Sequence, residues 1–131
     1  MSEEQNPSLR IAYIDVNYIL NQSKEVRELR KKQAEKEQDL KVWISKVNTD
    51  VIKRGNPEEQ QNLVNRYNEE FLQKQQKLRE EYSRKLQEID KNITKIIAEK
   101  AKKLHYDFVL AKGTILFGGE DITLQIAEQV R

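Results

Sequence analysis

YDFVLAKGTILFGGEDIT, residues 106–123, closes a long and highly charged stretch with a burst of β-forming side chains. Residues 106–111 and 114–117 are strand-like, and Lys112-Gly113 between them predicts a tight turn. The reading is a β-hairpin whose second strand ends at Gly118 and Gly119. A two-stranded hairpin alone is marginal in water. It needs a further strand to pair with and a surface to cover it.

The partner candidate lies at the opposite end of the chain. Residues 9–16, LRIAYIDV, are apolar on both faces: Leu9, Ile11 and Tyr13 on one, Ala12, Ile14 and Val16 on the other. A short run of this kind favours a strand buried on both sides. Residues 17–22 predict a helical turn, and Ser23 predicts an N-cap for a long helix beginning at Lys24.

Between these ends, residues 24–105 hold no Pro or Gly outside KRGNPEE. Gly55 predicts a left-handed C′ position, Asn56 a cap and Pro57 a first helical turn. The pattern is a helical hairpin with its turn near 54–57. Its arms, residues 24–54 and 57–104, are on the order of 45 and 70 Å long at 1.5 Å per residue. Apolar side chains recur every eleven residues, as Tyr67, Leu78 and Ile89, as Phe71, Tyr82 and Ile93, and as Leu29, Leu40 and Val51. Such a repeat gives straight or slightly right-handed coiling. The stripe is thin enough to zip one helix pair and too thin to build a large core. Glu-to-Lys/Arg pairs at i,i+4, such as Glu28–Lys32 and Glu70–Lys74, add a few tenths of a kcal/mol each.

A helix pair that goes out and returns brings the chain ends together. Residues 9–23 and 106–131 then form one discontinuous β body, closed by a short helix that Asp121 caps and whose face carries Ile122, Ile126 and Val130. Residues 24–105 form the arm, and residues 1–8 a disordered tail. So small a body is insecure alone, and oligomerisation through it is the simplest remedy. Charge follows the same division. The arm has 21 Lys/Arg and 15 Asp/Glu, net +6, and the rest has 3 and 7, net −4.

Composition narrows the function classes. Of the 131 residues 35% are charged and 37% hydrophobic, which argues against one compact core through the whole chain. A net charge of +2 is too mild to argue for nucleic acid, and no aromatic–basic interleaving on a sheet supports it. The chain has no Cys, so disulfides and thiolate chemistry are excluded. Its start, MSEEQNPSLR, has neither the basic nor the apolar region of a signal peptide. His105 stands without a metal-ligating cluster and reads as a helix-end residue. FGGED lacks the Lys and the spacing of a phosphate loop and reads as a turn. RELRKKQ reads as a solvated helix face. The sequence predicts no enzyme, no metal site and no cofactor.

The order strand, turn, long helical hairpin, two strands, short helix resembles the Skp/OmpH family of periplasmic chaperones. IAYIDVNYILNQS, YDFVLAKGTILF and DITLQIAEQV carry the likeness, which extends over nearly the whole chain from Leu9. The resemblance implies an α+β, mostly α fold and a jellyfish-like trimer, in which helical hairpins project from a β body and enclose a cavity. It implies an ATP-independent holdase that binds unfolded outer-membrane proteins in the periplasm, after removal of a signal peptide. A cytoplasmic chain is the alternative for compartment. The expected partners are two further copies of the chain, unfolded outer-membrane proteins and, weakly, a membrane surface, with no nucleic acid. The oligomer body is expected to use Ile11, Tyr13, Ile14, Phe108, Leu110, Ile115, Leu116 and Phe117. Trp43, Ile44, Val47, Tyr67 and Phe71 are the client-facing candidates on the arm, with the hairpin's own seam as their alternative role. The rival function is a structural or adaptor coiled coil that binds one specific partner.

Overall fold

The computed structural model describes residues 8–131. The expected tail, residues 1–8, lies outside the described residues except for Ser8, which is exposed coil. The fold is α+β and mostly α. Strand β1 (Ile11–Ile14) leads into helices α1 (Val16–Gln22), α2 (Lys24–Lys53) and α3 (Pro57–Lys103). Strands β2 (Phe108–Ala111) and β3 (Glu120–Asp121) come next, and helix α4 (Thr123–Val130) ends the chain. Two compact units result. One holds the described residues up to Arg27 together with Gln87–Arg131, and the other holds Glu28–Leu86.

In the first unit the sheet has the order β2-β1-β3, and both pairings are parallel. The expected hairpin does not form. β1 takes the centre, and the two C-terminal strands add to its opposite edges rather than to each other. Lys112–Thr114 close a 3-10 turn, in which the Thr114 hydroxyl donates to the Ala111 carbonyl at 2.7 Å. The chain then crosses to the far edge of β1. Gly118 and Gly119, at φ 88° and 78°, make that crossing instead of ending a strand. A Cβ on Gly119 would lie 3.2 Å from the Ile11 carbonyl oxygen and 3.3 Å from Tyr13 Cδ1. Glycine is therefore needed there for close approach as well as for its backbone angle.

β1 is shorter than residues 9–16, because Asp15 ends it. The Asp15 carboxylate accepts from Tyr18 N–H at 3.1 Å and starts α1, so Val16 is helical. Ser23 is buried and caps as expected, accepting from Val26 N–H at 3.3 Å. Within the single chain the strand is buried on one side only. Ala12 and Ile14 are buried, while Ile11 and Tyr13 are half-buried and Leu9 is exposed. The core under the sheet is formed by Ala12, Ile14, Ile19, Ile122, Ile126 and Ala127. Polar atoms join the strand ends: Asp15 N–H donates to Thr123 Oγ1 at 2.9 Å, and the Asp121 carboxylate accepts from Thr123 N–H at 3.0 Å. Asp121 thus serves the first turn of α4 from one residue further back than a cap.

Helix α3 ends in a Schellman motif. Tyr106 N–H donates to Ala101 O at 2.9 Å and His105 N–H to Lys102 O at 3.2 Å, with His105 left-handed at φ 60°. Arg10 completes this end. Its guanidinium donates to Leu104 O at 2.9 Å and lies 4.6 Å from the centre of the Tyr106 ring, and its backbone N–H donates to the Asp107 carboxylate at 2.8 Å.

In the second unit α2 and α3 form the expected hairpin. Asn56 caps α3, accepting from Glu58 N–H at 2.9 Å, and Pro57 holds the first helical position. Gly55 departs from expectation, since the positive-φ residues among those described are His105, Gly118 and Gly119. The end of α2 is satisfied differently. Arg54 N–H donates to Val51 O at 3.1 Å, and the Gln60 amide donates to Arg54 O. No left-handed residue is required.

Candidate functional site: an apolar sheet face and a half-buried helical seam

The parallel register decides which side chains share a face. Ile11 pairs with Phe108 and Tyr13 with Leu110, so these four stand together on the side of the sheet away from the core. Phe108 is 52% exposed and Leu110 40%. The crossing segment adds Leu116 and Phe117, 96% and 89% exposed, and half-buried Ile115. Seven of the eight residues expected in the oligomer body are therefore partly or wholly open to solvent. Ile14 is the exception. It points the other way and is buried in the chain's own core.

The hairpin unit has almost no dry interior. Leu29 is buried, and every other residue of 28–86 is half-buried or exposed. Trp43 and Tyr67 meet edge to face across the two helices, with centroids 5.9 Å apart. The Tyr67 hydroxyl donates to the Asp50 carboxylate at 2.6 Å, and this bond, with burial and the charge of Asp50, raises the tyrosine above its ordinary range. Lys36 and Glu81 pair across the helices at 3.2 Å. The bond to Lys36 holds the Glu81 carboxyl below its ordinary range. All five client-facing candidates line this seam. Trp43, Ile44, Val47, Tyr67 and Phe71 surround a cleft of about 220 Å³ that no charged side chain lines. Each is half-buried against the opposite helix and half open.

Two wider grooves run beside the seam and share Leu40 and Leu78 as a wall. One, of about 290 Å³, includes Trp43, Lys74 and Lys77, and the other, of about 680 Å³, includes Ile44, Phe71 and Tyr82. The most exposed apolar side chains of the hairpin are Ile52, at 78%, and Leu72, at 63%. Sequence reasoning misses both. Their signal is the doublets Val51-Ile52 and Phe71-Leu72, because neighbouring positions on a helix are about 100° apart and Val51 and Phe71 take the seam side.

No helix among the described residues is long and apolar enough to cross a membrane. Among the same residues no group of His, Cys, Asp or Glu could hold a metal ion. The described residues present a helical hairpin with a half-open apolar seam and a small parallel sheet with an open apolar face. Residues 10–130 match the family model described as outer membrane protein (OmpH-like), and the chain belongs to this family. The family is one of chaperones in outer-membrane-protein biogenesis. No curated protein sequence matches the chain.

Proposed function

We propose that the chain is an ATP-independent holdase, working in the periplasm as a homotrimer that keeps unfolded outer-membrane proteins from aggregating. The observation that carries this reading is the hairpin seam. Its apolar side chains are half open along both helices, on an arm of net charge +6. Such a surface offers many weak apolar contacts and long-range attraction, and neither depends on one client sequence. Release needs no nucleotide when the client has a more stable destination. The open sheet face supports self-association, since apolar side chains exposed side by side mark interaction sites. Ile11, Tyr13, Phe108, Leu110, Ile115, Leu116 and Phe117 would be covered by neighbouring copies.

Two measurements test the proposal. Native mass should give a trimer, and a monomer at micromolar concentration would refute the assembly. The protein should suppress aggregation of several unrelated unfolded β-barrel proteins. Protection of a single partner alone would favour the adaptor reading.

A further inference from the structure

The three grooves of the hairpin differ in charge. The cleft around Val47 and Tyr67 has no charged side chain in its lining. The groove beside Phe71 and Tyr82 mixes Glu37 with Lys41 and Arg79. The third has an apolar floor of Leu40, Trp43 and Leu78 under Lys36, Lys74 and Lys77, opposed by Asp39 and Glu81. Lys36 is committed to Glu81 at 3.2 Å, and Lys77 also helps hold that carboxyl low. The Lys74 ammonium sits 5.3 Å from the centre of the Trp43 ring. A cation held over an indole face stays at the edge of the apolar floor instead of moving freely in water. An apolar surface with an ammonium fixed at its border is complementary to an apolar side chain with a carboxylate beside it.

We infer that the Trp43 groove is a subsite for acidic-apolar segments of an unfolded client, in which an aromatic or branched side chain stands next to Asp or Glu. Trp43, Leu40 and Leu78 take the apolar side chain, and Lys74 and Lys77 take the carboxylate. The inference rests on the proposal that the hairpin holds clients, and it adds a chemical preference to one of its grooves. The uncharged cleft would show no such preference.

The test uses the full chain and three peptides without Trp: acetyl-Phe-Asp-Leu-Asp-amide, acetyl-Phe-Lys-Leu-Lys-amide and acetyl-Phe-Ser-Leu-Ser-amide. Trp43 is the sole Trp of the chain and lines both this groove and the uncharged cleft, so its emission reports binding along this part of the seam, the lysine variant assigns it to the groove, and calorimetry gives the affinities. At low salt the acidic peptide should bind about tenfold more tightly than the basic one, the scale of two exposed ion pairs. The preference should vanish in 1 M salt and in the Lys74→Gln/Lys77→Gln double variant, whose helix content by circular dichroism should match the parent. Equal affinities, no binding of any peptide, or a preference that survives in the double variant would each overturn the inference. Aggregation suppression, measured on the same preparations, separates the two proposals. Suppression without peptide discrimination removes the subsite and keeps the holdase. Discrimination without suppression removes the holdase and keeps the subsite.

Discussion

Two residues that share an apolar character have opposite placements. Ile14 is 6% exposed and Phe117 is 89% exposed. Ile14→Asp buries an unpaired charge in the chain's own core, at a cost of several kcal/mol. Circular dichroism should show that variant losing its fold. Phe117→Asp costs the single chain little, and under the trimer proposal it should yield folded monomers by sedimentation. A Phe117→Asp protein that stayed trimeric would take this residue out of the interface. His105 offers the converse case. It holds a left-handed backbone without being glycine. His105→Gly should raise stability by about 1 kcal/mol in thermal unfolding, because the steric conflict of Cβ with the backbone is removed.

The elements show what sequence can and cannot deliver. Both long helices, the Asn56-Pro57 start and the Ser23 cap are legible, because each rests on neighbours within four residues. Asn56→Ala should accordingly cost about 1 kcal/mol of stability, read as a lowered unfolding midpoint. The existence of β1 and β2 is also legible, as is their meeting at a distance of ninety-odd residues. The pairing of β1 with the last strand is not. Residues 106–123 look like a hairpin because adjacent strands usually pair with each other. Here Ile11–Ile14 takes the central place, and a two-residue strand, Glu120–Asp121, has no periodicity to read. Gly119 reads as a stop in the sequence, although its role is close approach to Ile11 and Tyr13. Gly119→Ala should therefore destabilise the sheet by about 1–3 kcal/mol, whereas Gly113→Ala, with open space around it, should be near neutral. Hydrophobicity alone points to the client-facing candidates. Their position in the seam depends on which helix faces pair, and the grooves beside them depend on both helices at once.

For the molecule as a whole, pH and salt act on different parts. Asp121 is held below its ordinary range, first by the Thr123 hydroxyl, and Glu81 is held low by Lys36. A depressed carboxyl adds stability above its unfolded pKa and loses it as pH falls through the folded one. The unfolding midpoint should drop as pH goes below about 4. Tyr106 is raised by its bond to Glu120, and Tyr67 by Asp50. Those contributions are complete below the ordinary tyrosine range and are lost as pH rises through the raised values, above about 10. Salt should act on client capture instead. Under the holdase proposal, stopped-flow association of an unfolded outer-membrane protein should slow strongly between 0.1 and 1 M salt, as the Debye length shrinks from about 10 to 3 Å. Dissociation should change far less. An association rate indifferent to salt would rule out electrostatic capture. The central place of β1 also sets a timetable for synthesis. The strand leaves the ribosome well before either of its neighbours, because β2 and β3 both follow the two long helices. At about 5–20 residues per second it waits several seconds or longer with its edges open. During that interval the newborn chain is itself an aggregation-prone polypeptide. The helices between can form locally in microseconds and shorten the search that finally seats β2 and β3.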